Sequence, residues 1–241
     1  MFSFGEKKPV LFEIILFIVA FLAAAVFTVF GSALNLSSEL SSSIGRIIVG
    51  LLLCLIYRKR LLKGSFSSGL VYTLPALLFV VWNIFYNLSS GQTFGDAEIL
   101  IAGLITAIAP AIFEEIIFRG IFISNLQKKG YGAMACMLTS AVFFAAVHMT
   151  NIAGMELLNV AVQVGYSLVI GMVLAAIYLK NGSLTQIVLI HFLIDFFNRI
   201  YNGSVTTSSN LQMVIFAIVL IGEAVYALVL TKNAGKEAGA E

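Results

Sequence analysis

Residues 97–124 read AEILIAGLITAIAPAIFEEIIFRGIFIS and decide the fold class of the chain. The run exceeds the roughly 20 apolar residues that a membrane-spanning helix needs, yet Glu114, Glu115 and Arg119 lie within it. A charged side chain inside hydrocarbon costs roughly 2.5–3.5 kcal/mol on insertion scales, and such residues are therefore functional candidates. The stretch predicts a transmembrane helix that carries part of a buried polar site.

The rest of the chain has the same character. Of its 241 residues 60% are hydrophobic and 11% are charged, whereas a soluble domain has about 25% charged residues. The long unbroken apolar runs exclude a membrane β-barrel, and a net charge of +2 gives no indication of a nucleic-acid partner. We predict an all-α, polytopic transmembrane helix bundle that forms a single integral-membrane domain over residues 1–241. Its predicted spans, about eight in number, are 10–34, 44–57, 68–89, 97–124, 132–150, 157–179, 183–200 and 210–231.

The distribution of basic residues predicts how the bundle is oriented. Alternate loops hold 11 of the 14 basic residues, namely Lys7, Lys8, Arg58, Lys59, Arg60, Lys63, Lys128, Lys129, Lys180, Lys232 and Lys236. The loops between them hold only Arg46 and Arg199. Since cytoplasmic loops are rich in Lys and Arg, both termini and all the basic loops are predicted to be cytoplasmic.

Two predicted spans bring a carboxylate and an imidazole to the same depth. In an antiparallel hairpin of the fourth and fifth spans, Glu114 lies 17 residues before Tyr131 and His148 lies 17 after it. Facing helix axes are roughly 8–10 Å apart, which allows the two side chains to share one water molecule. Glu115 precedes Arg119 by four residues, the favourable order for a helical ion pair, and we assign this pair a structural role.

A second candidate pair lies in the seventh span. His191 and Asp195 are four residues apart and share a helix face, so they either satisfy each other in a packed bundle or complete a site with Glu114 and His148. Glu223, in the last span, is a weaker candidate. Glu13 is set aside because it lies close enough to its helix end to reach the interface.

Three motifs together resemble those of a known family. Residues 114–119 fit EExxxR, residues 144–148 fit FxxxH with Phe144, and residues 191–195 fit HxxxN or HxxxD. In this order they resemble the CPBP intramembrane proteases, which include the type II CAAX prenyl endopeptidases and the bacterial bacteriocin-processing or immunity proteins (Abi). The resemblance covers a motif-bearing core of residues 95–200. It implies an integral membrane endopeptidase, in a bacterial cytoplasmic membrane, that cleaves peptides or protein tails near the cytoplasmic face.

The same resemblance implies a role for each motif residue. Glu114 and His148 would activate the hydrolytic water, while His191 and Asp195 would stabilise the oxyanion, with Glu115, Arg119 and Phe144 in support. Many members have Asn where this chain has Asp195. Because an ionised Asp cannot donate a hydrogen bond to an oxyanion, Asp195 is either protonated, or orients His191, or binds a metal.

Alternatives remain open at this stage. A metal-free mechanism is favoured, with no cofactor, but the two histidines with Glu114 and Asp195 could instead bind Zn²⁺. A non-catalytic immunity or scaffold protein that controls a sensor kinase or a bacteriocin would need the polar residues only for packing. A proton-coupled transporter is disfavoured, since paired broken helices are not seen. The substrate, any need for prenylation and the oligomeric state are not predicted.

Overall fold

The computed structural model describes residues 2–61, 64–67, 69–203 and 209–238, and within them it is an all-α bundle. A two-residue antiparallel pair joins β1 (Thr93–Phe94) to β2 (Tyr201–Asn202). Short 3-10 helices occupy Leu70–Thr73 and His148–Ala153, and a π-helix occupies Ile116–Ile123. The α-helices are α1 (Phe2–Lys7), α2 (Pro9–Ala33), α3 (Ser38–Leu61), α4 (Leu77–Ser89), α5 (Ala97–Glu115), α6 (Ser124–Lys128), α7 (Ala133–Val147), α8 (Leu157–Asn181), α9 (Leu184–Arg199) and α10 (Asn210–Ala238). The predicted fold class is confirmed.

Most of the predicted spans are long helices. Among the described residues, seven helical stretches are long and apolar enough to cross a membrane: Pro9–Ala33, Ser38–Lys59, Leu70–Ser89, Ala97–Lys128, Ala133–Ala153, Leu157–Asn181 and Asn210–Ala234. The remaining predicted segment, 183–200, forms α9, which has 16 residues. At 1.5 Å per residue α9 is about 24 Å long, shorter than the hydrocarbon core of about 30 Å. The chain is therefore a multi-pass membrane protein in which α9 is shorter than the seven membrane-crossing stretches.

Two predicted spans differ in their bounds from the helices that the structure contains. The segment 44–57 is too short, because α3 begins at Ser38. Its first turns are serine-rich, and the Ser41 hydroxyl donates to a carbonyl oxygen four residues earlier at 2.8 Å. A hydropathy pattern does not reveal a helix start made of polar residues, even when their side chains donate hydrogen bonds to the helix backbone. The segment 68–89 divides at Pro75, which separates the 3-10 helix from α4, because proline cannot donate a helical hydrogen bond.

The helix ends collect at two opposite faces of the bundle. At the basic end, Lys128 Nζ lies 2.8 Å from Glu6 Oε1, and a Cβ built on Gly64 would lie 2.4 Å from the carbonyl carbon of Gly182. At the opposite face, here called the mouth end, β1 pairs with β2, and Gln212 Nε2 donates to Ser89 Oγ at 2.8 Å. Successive long helices run between these faces, and α9 runs between them as well.

This arrangement groups the basic loops on one side. The described ends with basic residues, such as those at Lys59 and Lys128, lie at the basic end, whereas Lys63 lies outside the described residues. Arg46 and Arg199 do not lie in loops as predicted, because α3 and α9 extend over them. The cytoplasmic location of the basic end stays a prediction.

Candidate active site

A cavity of about 870 Å³ occupies the part of the bundle nearer the mouth end. Glu114, His148, His191 and Asp195 all line it. They are carried by α5, the end of α7 and α9, so three separate passes of the chain supply them. The side chains that the motifs single out therefore meet at one cavity, while the roles assigned to them stay predictions.

The cavity wall has a polar and an aromatic part. Asn and Gln side chains, which can bind peptide groups, line the polar part: Asn83, Asn151, Asn159, Gln163, Asn198 and Gln212. The aromatic part is lined by Phe17, Phe21, Phe79, Trp82, Phe113 and Phe216. The lining includes no residue from the described loops at the basic end, so the cavity belongs to the mouth half of the bundle.

The Phe144 ring is the common neighbour of the charged and imidazole groups. Ring centroids are 5.1 Å apart for Phe144 and His148, and 5.7 Å apart for Phe144 and His191. The guanidinium carbon of Arg119 lies 4.3 Å from the Phe144 centroid, within the range of a cation–π contact. The side chain is only 2% exposed. Phe144 therefore holds both imidazoles at one place, which gives the FxxxH motif a packing reason.

A backbone contact fixes the tautomer of His148. Its Nδ1 lies 2.8 Å from the carbonyl oxygen of Phe144, one turn earlier. Because a carbonyl oxygen can only accept, Nδ1 must carry the proton and donate. In the neutral ring this leaves the lone pair on Nε2. Since His148 lines the cavity beside Glu114, its remaining nitrogen can accept a hydrogen bond from water.

Glu115 binds both Arg119 and His191. Its Oε1 accepts from Arg119 Nη1 at 2.8 Å, as the ion pair predicted from the sequence requires, and from His191 Nδ1 at 2.8 Å. The Arg119 Nη2 also donates to the carbonyl oxygen of Gly171 at 3.2 Å. Glu115 and Arg119 are fully buried. The predicted structural role of Glu115 is thus incomplete, because the same carboxylate also orients the His191 ring.

Asp195 has a different partner from the one its spacing predicts. Its Oδ1 lies 4.0 Å from His191 Nε2, too far for a hydrogen bond, whereas its Oδ2 accepts from Arg199 Nη2 at 3.5 Å. Arg199 also lies 3.6 Å from Glu39 of α3. Asn83 Nδ2 donates to the carbonyl oxygen of Ile194 at 2.8 Å and so anchors this part of α9. Asp195 is therefore held by Arg199 rather than by His191.

A π-helix immediately follows the Glu114–Glu115 pair, and sequence reasoning did not find it. All its residues, Ile116–Ile123, are buried. The Ser140 hydroxyl of α7 donates to the carbonyl oxygen of Phe118 inside it at 2.9 Å. Isolated π-helical turns occur frequently at functional sites. The widened turn lies between the carboxylates of α5 and the basic end, and Arg119 projects from it.

The described residues do not fit a zinc site. A catalytic zinc needs three protein ligands around one point, and no group of three His, Cys, Asp or Glu side chains in the described part of the chain is placed to hold a metal ion. One nitrogen of each imidazole contacts Glu115 or the Phe144 carbonyl oxygen, and the other nitrogen of each ring is left for water or substrate. The metal-free mechanism stays a prediction.

Two further carboxylates are buried away from the cavity. Glu223 of α10 is 1% exposed and does not line the cavity. Glu13 of α2 does not reach the interface as predicted, since it is fully buried. Neither of its carboxylate oxygens has a hydrogen-bond partner among the described residues. Helix α2 packs against α1, α3 and the π-helix, and hydropathy alone does not reveal the burial of Glu13.

Comparison with known proteins gives one family match. Residues 96–197 match the family described as Type II CAAX prenyl endopeptidase Rce1-like. The matched range contains all three motifs and the four cavity-lining residues Glu114, His148, His191 and Asp195. No curated protein and no solved structure gives a significant match.

Proposed function

Because the chain belongs to the CPBP family of intramembrane proteases, we propose that it hydrolyses a peptide bond with water activated by Glu114 and His148. One observation carries this proposal: a carboxylate and two imidazoles from separate passes line one cavity inside a membrane protein. Isolated ionisable groups in a membrane are costly. Catalysis by activated water needs such ionisable side chains at one place, whereas the packing of a helix bundle does not require them to share a cavity.

The first step is the activation of water. The free Nε2 of His148 accepts one hydrogen bond from the water molecule, and the Glu114 carboxylate accepts the other. Glu114 then takes this proton as the water oxygen bonds to the scissile carbonyl carbon. General-base assistance of this kind contributes typically 10²–10⁴-fold. The proton held by Glu114 passes to the amide nitrogen as the carbon–nitrogen bond breaks, which releases an amine and a carboxylic acid.

The second step concerns the oxyanion that forms during attack. In its protonated form His191 carries a hydrogen on Nε2, and this nitrogen is the one that Glu115 does not occupy. The carboxylate oxygens of Glu115 and Asp195 lie 2.8 Å and 4.0 Å from its two ring nitrogens. The Nε2–H can donate to the oxyanion, a preorganised stabilisation that is usually the largest catalytic effect. Asp195 holds the imidazolium by charge and needs no proton of its own.

The cavity also limits the shape of the substrate. Its volume of about 870 Å³ is that of a site for a small ligand or a short peptide segment. A flexible peptide or protein tail can enter it, whereas a folded domain cannot. The mixed wall of amide and aromatic side chains suits an extended peptide with apolar side chains.

The test compares two conservative variants on the same helix. The purified protein is assayed in nanodiscs against a library of internally quenched peptides. We expect Glu114→Gln to lower kcat/KM at least 100-fold, because the base is lost while the shape is kept. Glu98→Gln, in the exposed first turn of α5, is the matched control and should stay within about twofold of wild type. Equal cleavage by the Glu114→Gln protein would refute the assignment of Glu114 as the base.

A further inference from the structure

Arg46 is a cation that lines the cavity and has no ion pair among the described residues. It lies within α3, is half-buried and lines the cavity together with Glu114. Among the described residues it has no ion pair, whereas Arg199, the other cavity-lining arginine, is held by Asp195 and Glu39. A charged side chain at membrane depth is functional by default. The cavity therefore presents to whatever enters it a guanidinium that no described carboxylate pairs with.

The packing of α3 on α5 fixes the level of Arg46. Gly50 lies against Phe113, since a Cβ on Gly50 would be 3.4 Å from the Phe113 Cα. Arg46 precedes Gly50 by four residues, which places it on the same face of α3 about 6 Å nearer the mouth end. An extended peptide advances about 3.3 Å per residue. Arg46 therefore lies about two substrate residues away from the level of Glu114.

We propose that Arg46 is a substrate-binding residue that receives a carboxylate of the peptide, from an Asp or Glu side chain or from the C-terminus. This proposal rests on the proposed function, because it places the carboxylate about two residues from the scissile bond. A guanidinium binds a carboxylate through two parallel hydrogen bonds, a charge-assisted and geometrically specific contact. Arg46 thus selects acidic substrates at one position and fixes their register relative to Glu114.

A peptide explains the position of Arg46 better than a lipid headgroup does. Arg46 is eight residues into α3 from Ser38, a depth of about 12 Å along the helix. Lipid phosphates lie in the interfacial layer outside the hydrocarbon. The cavity that Arg46 shares with Glu114 also carries amide side chains suited to a peptide. A carboxylate presented on a peptide reaches this depth without removing a phospholipid from its layer.

The first experiment measures selectivity. For a peptide that the wild-type protein cleaves, each position within three residues of the scissile bond is varied as Asp against Asn, and the C-terminus as acid against amide. Wild type should prefer the acid at one position by about 10- to 100-fold in kcat/KM. Arg46→Gln should reduce that ratio to about one, chiefly by lowering kcat/KM for the acid form. Arg46→Lys should keep part of the preference, and Arg58→Gln, on the exposed basic-end part of α3, should keep all of it.

The second experiment separates this proposal from the proposed function. Binding of labelled acid and amide peptides is measured by anisotropy with Glu114→Gln and with Glu114→Gln/Arg46→Gln proteins, neither of which needs to cleave. If Glu114→Gln binds the acid peptide more tightly than the amide peptide and the double variant does not, the binding role of Arg46 is supported, even if cleavage by wild type is never observed. Equal binding of both forms, or an acid preference that survives Arg46→Gln, overturns the proposal. The proposal is also overturned if native mass spectrometry finds an anionic lipid bound to wild type and lost from Arg46→Gln, while wild type shows no preference for acid peptides.

Discussion

Replacing Glu115 by Gln should destabilise the protein strongly and also inactivate it. The carboxylate is fully buried and is the shared acceptor for Arg119 and His191, each at 2.8 Å. In Glu115→Gln the buried Arg119 cation loses its counter-charge and keeps only neutral acceptors, namely the Gly171 carbonyl oxygen at 3.2 Å and the amide oxygen of the new glutamine. Breaking a buried ion pair in this way costs about 3–5 kcal/mol. For a chain of this size that lowers Tm by about 6–20 °C.

The assay is thermal unfolding in nanodiscs followed by intrinsic fluorescence, alongside peptide cleavage. Glu98→Gln, the same chemical change at an exposed position of the same helix, should melt like wild type. In Glu115→Gln/Arg119→Met the unpaired cation is removed, and we expect most of the lost stability to return. Activity should not return, because His191 still lacks its carboxylate. A Glu115→Gln protein that melts within about 2 °C of wild type, or a double variant with restored activity, would show this reasoning to be wrong.

Three further predictions follow from packing, chemistry and topology. Gly45→Ala should lower the free energy of unfolding by about 1–3 kcal/mol, because its Cβ would lie 2.4 Å from the Ala24 carbonyl oxygen. Gly222→Ala, whose Cβ would have no atom within 4 Å, is the control and should melt like wild type. Equal melting temperatures of the two variants would contradict the α2–α3 contact. Treatment with a zinc chelator should leave peptide cleavage unchanged, and a loss that added Zn²⁺ restores would establish a metal mechanism. In intact cells a membrane-impermeant maleimide should label Thr150→Cys, at the mouth end, but not Lys128→Cys; the reverse pattern would invert the predicted orientation.

The sequence was sufficient for those features that local spacing determines. The Glu115–Arg119 ion pair was predictable because four residues bring two side chains together on one helix turn. The apolar runs likewise predicted the helical class, and the order of the motifs led to the family. These properties depend on neighbours along the chain or on a recurrent pattern, and both are visible without packing.

The remaining features depend on contacts that are distant along the chain. Spacing offered His191 only Asp195 as a partner, but packing supplied Glu115, 76 residues away. Arg46 was predicted to lie in a loop because the polar start of α3 hides the helix that carries it. The π-helix has no sequence signature, since Ile116–Ile123 could equally continue an α-helix. The bounds of α9 were predictable to within one residue, because the polar stretch at 180–183 precedes it and Arg199 ends it.

The central claim is that Glu114 directs a water molecule to a peptide bond, and labelled water tests it most directly. Cleavage is run in ¹⁸O-labelled water with wild-type and Glu114→Gln proteins, and the products are examined by mass spectrometry. We expect the wild-type product to carry one labelled oxygen in its new carboxyl group, and the variant to form no product above background. A product without label, or a labelled product formed by Glu114→Gln at the wild-type rate, would contradict the account.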